Sequence, residues 1–504
     1  MTLYNILIDL TKFFYLRQVG VILGIFLLGY IFIQLTKEKI SDIWQLLLSF
    51  PVGLSLYAVT GFVLLSLGVE FEVGTIAMFL FVVIAELTLR LVREKVYIAP
   101  LKLSLLIFTM LGVAIVAWIA VSGALPVEIS NDSVYYYSTY PKILVEEKFY
   151  DKSFDVFLTD VGQTAAVINA LPFFFGFDQT FGVQHFMNIN FCCIFFMAAF
   201  ESGKSRQVNK KKAATAALLA TLFLLTSEPF LITVRWVLAN VYFMEYLFIF
   251  VFIAYKMSER LPENSVAYSA VQMVTGMMLT MLRVEGGVFV CIMVLIFSLL
   301  KYDRGQMLRI YVIPIAAIQI LYYLNLYIRL RVDPLYSFLD IKKSMIAIGT
   351  VLFTALYVIF FRERLNKLYG KFMPILFIAL LAAGNLSLLL IGRERYIENL
   401  RAFYLNIRLS NGWGLFGIPF LAYACWVFYS MIKHWKGDSP LPWLDLIWIS
   451  AFMMIVAVSW ARGGALAVRT SDSGNRVMMQ IVPLVVYAGY LRTINWIQKV
   501  GGRA

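Results

Sequence analysis

Histidine is nearly absent from this chain: His185 and His434 are the only two in 504 residues. Zinc centres and Ser-His-Asp triads both lean on imidazole, which argues against either. Charge is scarce too, at 14% of residues. The four cysteines, Cys192, Cys193, Cys291 and Cys425, all fall inside apolar runs, so no external disulfide framework is indicated. No GxxxxGK phosphate loop followed by Ser or Thr occurs, and no soluble stretch is long enough for a nucleotide domain.

What the chain has in quantity is apolar surface. Hydrophobic residues make up 61% of it, and its mean hydropathy of +0.81 is incompatible with a soluble globule. The fold class is an all-α polytopic membrane protein. A helix crosses the hydrocarbon layer in about 20 residues, and on that basis the sequence gives about 13–15 transmembrane helices. The clearest runs are 19–35, 44–67, 73–91, 103–124, 179–200, 213–227, 239–255, 266–282, 287–300, 310–328, 345–361, 373–391, 415–432, 444–460 and 479–496. Pro51, Pro172 and Pro314 mark candidate kinks or re-entrant pieces. Residues 1–18 are amphipathic without a cleavable-signal pattern and read as an interfacial helix. A transmembrane module over 19–300, carrying a polar loop at 125–178, precedes a C-terminal transmembrane module over 301–504.

Lysine and arginine in short loops stay on the cytoplasmic side. That bias places 90–102, 204–212, 256–260, 301–309, 362–371 and 433–436 inside. The loops 125–178, 228–238, 283–286, 329–344, 392–414 and 461–478 then lie outside, with the Glu70-Phe71-Glu72 turn. The net charge of +13 needs no nucleic-acid partner, because the basic residues are dispersed over many short loops. The external loops nevertheless favour arginine, including Arg283, Arg329, Arg331, Arg393, Arg395, Arg462 and Arg476. A guanidinium grips phosphate with a planar fork that an ammonium lacks, so such a face suits an anionic headgroup. Anchoring to acids or lipid is the alternative for any one of them.

The most distinctive segment is Val127-Glu-Ile-Ser-Asn-Asp-Ser-Val-Tyr-Tyr-Tyr-Ser-Thr-Tyr-Pro-Lys142, a carboxylate and a run of tyrosines directly after an apolar span. Asp132 is the candidate general base for an acceptor hydroxyl. The alternative is an N-cap for the segment that follows. Tyr136, Tyr137 and Tyr140 offer flat faces to a sugar or acceptor, or act as ordinary interfacial anchors. In Arg283-Val-Glu285-Gly286, the arginine either holds a phosphate or pairs with Glu285.

Together these stretches resemble the GT-C superfamily of membrane glycosyltransferases. The shared features are an acid in the first large external loop ahead of a Tyr-rich piece (Asn131-Asp132 to Lys142), an Arg-x-Glu-Gly at the outer end of a mid-chain span (Arg283 to Gly286), and a late external arginine before a Pro-containing span (Asn475-Arg476 to Pro483). The likeness covers roughly residues 100–300 and 460–490. It implies a GT-C-like helical bundle with an external amphipathic loop region, a polyprenyl-phosphate-linked sugar as donor, and a glycan, lipid or polymer acceptor. It also implies a plasma (inner) membrane location with the active site on the external, periplasmic side. On that reading Asp132 is the catalytic base, and Arg283, Arg476, Arg393, Arg395 and Arg462 are the candidates for the donor phosphate. Relatives usually carry a second acid, for which Asp160, Glu228 and Glu245 are the candidates. Some superfamily members use a divalent cation with paired carboxylates; no acidic pair here has diagnostic spacing, so no metal ligand is assigned. A lipid-linked glycan polymerase or ligase, using the 392–414 loop, and a lipid flippase or transporter are the alternative functions.

Overall fold

The computed structural model describes residues 16–36, 40–92, 105–122, 135–151, 154–176, 181–206, 208–234, 239–259, 265–300, 302–332, 339–370, 372–408, 413–433, 443–463 and 477–501. Among the described residues there is no strand. In hydrocarbon every backbone N–H and C=O must be satisfied within its own segment, and a helix does that.

In chain order the principal helices begin with α1 (Leu16–Leu35), α2 (Asp42–Ser66), α3 (Phe71–Val92), α4 (Leu105–Ser122), α5 (Tyr140–Glu147), α6 (Asp155–Asp160) and α7 (Thr164–Phe174). They continue with α8 (Phe181–Ser205), α9 (Lys210–Thr226), α10 (Glu228–Val234), α11 (Ala239–Glu259), α12 (Ser265–Leu282), α13 (Gly286–Phe297) and α14 (Ile313–Leu324). The last are α15 (Ile341–Leu356), α16 (Met373–Ile391), α17 (Arg393–Arg408), α18 (Gly417–Lys433), α19 (Trp443–Ala461) and α20 (Val482–Gly501).

Ten described helical stretches are long and apolar enough to cross a bilayer, so the chain is a multi-pass, all-α membrane protein. The expected 13–15 passes included shorter helices: Leu106–Val121, Val266–Leu282 and Gly286–Phe297 are apolar but fall below that length. A twelve-residue helix such as α13 rises only about 18 Å, against roughly 30 Å of hydrocarbon. Most of the amphipathic 1–18 segment lies outside the described residues.

The chain forms two compact units that interleave along the sequence. The first comprises Met1–Ile194, Arg235–Cys291 and Lys301–Ala355, and the second Phe195–Val234, Ile292–Leu300 and Leu356–Ala504.

In the first unit α2 is the central helix, with Trp44, Phe50, Tyr57 and Phe62 fully buried. Helices α1 and α2 approach closely because Gly29 lies against the carbonyl of Ser49 and Gly53 against that of Ile25, where a Cβ on either glycine would collide with backbone. Small residues allow this contact in a membrane, where packing rather than the hydrophobic effect holds helices together. Pro51 interrupts α2 without leaving a free acceptor. Lacking an N–H, it releases the carbonyl of Leu47, to which Asn190 of α8 donates at 2.8 Å. Pro51's own carbonyl accepts from Ser55 at 2.8 Å and from Tyr246 at 2.7 Å.

The described part of the 125–178 segment folds into short helices rather than a β-rich domain: α5, α6, α7 and a π-helical turn at Tyr135–Thr139. It is tied to the α2–α3 connection. Lys148, left-handed at φ 66°, ends α5; its carbonyl accepts from the Phe71 N–H at 2.8 Å. Its ammonium sits 3.5 Å from Glu70 and 3.4 Å from Glu72, which hold its pKa above the ordinary lysine value. Two segments that the charge bias assigns to the same side therefore meet.

In the second unit the buried carboxylate of Asp445 on α19 gathers four donated hydrogen bonds. Arg492 supplies two, at 2.8 and 2.5 Å. Tyr423 donates at 2.6 Å and Trp448 at 3.0 Å. Full satisfaction of this kind is what makes an ion pair tolerable at low dielectric. At the end of α13, Arg362 donates to the carbonyls of Ser298 and Leu300, and Asn366 also donates to Ser298. Such bonds occupy carbonyls that a helix terminus leaves free.

Candidate functional site

Helices α12 and α13 are joined only by Arg283, Val284 and Glu285. Glycine is required just after this connection. A Cβ on Gly286 would strike the carbonyl of Leu279, and one on Gly287 would strike Oε1 of Gln319. Both charged side chains of the connection are turned inward, with Arg283 6% and Glu285 8% exposed. Nε of Arg283 donates to Oε1 of Glu285 at 2.5 Å, and Nη1 donates to Oδ1 of Asn240 at the start of α11. Of the two roles open to Arg283 in the sequence, the salt bridge is formed, and two faces of the guanidinium are spent on it.

The end of α6 is stitched to this connection through backbone. The Gln163 N–H donates to the Met281 carbonyl at 2.9 Å, and the Val284 N–H to the Val161 carbonyl at 3.2 Å. Gly162 lies between them at φ 140°, and a Cβ there would stand 2.6 Å from the Leu282 oxygen. Only glycine meets both demands. Tyr150 donates to the Gln163 carbonyl at 2.6 Å, and burial raises its phenol above the ordinary pKa.

Helix α14 closes the site from another direction. Tyr322 donates to the Leu158 carbonyl at 2.9 Å, and the Asn325 amide to Oε1 of Gln163 at 3.2 Å. Asp160, half-buried at the end of α6, and Glu285 both lie near enough to act electrostatically on the Tyr322 hydroxyl. Asp160, Gln163, Asn240, Arg283, Glu285, Tyr322 and Asn325 thus form one polar cluster in otherwise apolar surroundings.

Several buried polar atoms here have no hydrogen-bond partner: Nε2 of Gln163, Oγ1 of Thr164 and Oδ1 of Asn325; Nη1 of Arg329, one turn beyond Asn325, has none either. Leaving such atoms unpaired costs about 1–3 kcal/mol each. An oxygen-rich ligand would satisfy both the donors and the acceptors among them.

The other residues singled out in the sequence fall as follows. Asp132 and Arg476 lie outside the described residues. Tyr136, Tyr137 and Tyr140 turn their rings onto Phe157, with Tyr136 and Tyr140 stacked at 6.2 Å. Glu245 is fully buried on α11, among Tyr242, Tyr246 and Cys192, and neither carboxylate oxygen has a hydrogen-bond partner. Glu228, Arg393, Arg395 and Arg462 belong to the second unit. Glu228 opens α10 with its carboxylate against Gly414, and burial raises its pKa. Arg393 and Arg395 are exposed on α17, and the Arg395 guanidinium lies 5.6 Å from the Trp460 ring centre. Among the described residues, no group of three His, Cys, Asp or Glu side chains is placed to hold a metal ion.

Gln163, Asn240, Tyr322 and Asn325 were not assigned to a site from the sequence. They are single polar residues in apolar helices, and only their burial against one another sets them apart. No family model, curated protein or solved structure matches the chain.

Proposed function

We propose that the chain is a membrane glycosyltransferase that moves a sugar from a polyprenyl-phosphate donor to an acceptor hydroxyl at the external face of the plasma membrane. The observation that carries this reading is the meeting of two separately chosen elements. The end of α6, which carries Asp160 in the acid-bearing segment, is hydrogen-bonded through backbone to the connection that holds Arg283-Val-Glu285, at Val161–Val284 and Gln163–Met281. Sugar transfer from a lipid phosphate needs a proton acceptor for the attacking hydroxyl and polar groups for the departing phosphate, and this junction brings an acid next to a polar, arginine-ordered turn.

In this reading Asp132 is the general base, and Asp160 is the second acid that the cluster favours over Glu228 and Glu245. Arg283 orients Glu285 and Asn240, and Arg476 is kept as a candidate for the donor phosphate from the sequence alone. Purified protein should transfer label from a radiolabelled polyprenyl-phosphate sugar to an acceptor without any translocation. Full consumption of donor only when a bilayer separates two compartments would point elsewhere.

A second reading, a lipid flippase or transporter, is favoured by Glu245. A buried carboxyl without partners inside a span marks substrate or ion paths in transporters. Proteoliposomes carrying a fluorescent lipid-phosphate test it: Glu245→Gln should stop lipid movement if this reading is right, and leave the dithionite-accessible fraction unchanged if it is not.

A further inference from the structure

Besides Arg283 in the cluster, two arginines, Arg329 and Arg331, follow Asn325 along the chain, and the three differ in how their charge is compensated. Arg283 is neutralised by Glu285 at 2.5 Å. Arg331 is exposed to the surroundings. Arg329 is half-buried, and among the described residues its Nη1 is shut away from solvent without a hydrogen-bond partner. A partly desolvated guanidinium with no counter-charge among the described residues is suited to an anion that arrives from outside the chain.

The local backbone places Arg329 one turn beyond Asn325. Helix α14 passes into a π-helical turn over Asn325–Arg329, where the Leu330 N–H bonds the Asn325 carbonyl at 3.0 Å. In such a turn residues four apart nearly stack, which puts Arg329 above Asn325, and inserted π turns recur at functional sites. Tyr322, Asn325 and Leu326 are buried on this face, whereas Leu324 and Ile328 point away at 46% and 68% exposed. Asn325 is bonded to Gln163, whose Nε2 is a second unspent donor in a side chain that is 0% exposed. Two unspent donors, one of them cationic, flank Asn325, beside acceptors at Asn325 Oδ1 and Thr164 Oγ1.

We infer that Arg329, assisted by the Gln163 amide, binds the phosphate group of the ligand, while Arg283 holds the cluster together. The guanidinium fork takes the two non-bridging phosphate oxygens, and the amide N–H donates to one of them. The remaining acceptors, Asn325 Oδ1 and the Asp160 carboxylate, are left for hydroxyl groups. The identity of the lipid rests on the glycosyltransferase reading; the anion site does not.

The test is binding to purified protein in nanodiscs, with farnesyl phosphate, farnesol, dioleoyl phosphatidic acid and inorganic phosphate as separate probes. Arg329→Gln should weaken farnesyl phosphate by about tenfold or more and leave farnesol unchanged. Arg329→Lys keeps the charge but loses the fork and should fall between the two. Arg331→Gln, which removes a charge two positions away, should stay within about twofold of wild type. If Arg329→Gln does not yield monodisperse protein, the Lys variant and the farnesol control carry the comparison. Equal binding of farnesyl phosphate by wild type, Arg329→Gln and Arg329→Lys overturns the assignment, as does a wild type that binds none of the phosphate probes. Loss of phosphatidic acid and farnesyl phosphate alike in Arg329→Gln supports the anion site and counts against a polyprenyl-specific donor. Inorganic phosphate bound as tightly as farnesyl phosphate, and lost in the same variant, supports the site with free phosphate as its ligand.

Discussion

The side-chain amide of Asn190 occupies the Leu47 carbonyl that Pro51 leaves without its helical donor, at 2.8 Å. A proline inside the central helix of the first unit is therefore compensated from a neighbouring helix. Asn190→Ala should lower stability by about 1–3 kcal/mol, because the carbonyl is then buried and unpaired. The effect should shrink in a Pro51→Ala background, where a backbone N–H again reaches Leu47. A thermal-unfolding double-mutant cycle in detergent measures this coupling, and additive losses would show that the two residues act independently.

Gly29 and Gly53 each touch backbone of the opposing helix. Replacing either with Val should push α1 from α2 and cost about 1–3 kcal/mol or more, since overpacking at a backbone contact cannot be relieved by a rotamer change. Gly20, which has nothing near its Cβ position, should accept Ala with little effect. Comparable melting curves for Gly29→Val and Gly20→Ala would contradict the close approach.

Arg283→Met should strip Glu285 of its partner and cost about 3–5 kcal/mol. Combining it with Glu285→Leu should recover much of the loss, since an apolar pair suits the same buried site. Melting temperatures follow the structural part. Transfer assays on the recovered double variant separate it from any role in turnover, because restored stability without restored activity would give the pair a part in function.

Asp132→Asn preserves size and capping ability but removes the proton acceptor. As general base it should lose about two to four orders of magnitude in turnover with the fold intact. A cap alone predicts near-normal turnover for Asn and a stability loss of about 1 kcal/mol for Ala. The same assay on Asp160→Asn ranks the second acid.

Glu228 titrates above its ordinary value because burial against Gly414 disfavours the carboxylate. A carboxyl whose pKa is raised on folding binds its proton more tightly in the folded state, so its contribution to stability declines as pH climbs from about 4.5 through the raised value. Glu228→Gln should remove that part of the pH dependence and make the protein relatively more stable at neutral pH. Parallel melting curves for both proteins across pH 4–7 check it, and a pH profile unchanged by the substitution would rule it out.

The helices were legible in the sequence because hydrocarbon permits few alternatives. Apolar runs at 44–67, 239–255, 373–391 and 444–460 reappear as α2, α11, α16 and α19 with ends shifted by a few residues. Runs 266–282 and 287–300 were also found, but their length as crossings was overrated, since apolarity alone does not say how far a helix reaches. Within the site, Arg283, Glu285 and Gly286 stood out because charged residues and glycine together are rare in such surroundings. Their partners did not. Gln163 and Asn325 are 162 positions apart, and Arg283 and Asn240 are 43 apart. No local period links residues at those distances. The sequence by itself determined that the chain is a helical membrane protein and which polar residues were unusual. Only tertiary structure decided that Arg283 is neutralised by Glu285, because charge compensation depends on what packing brings within a few ångströms.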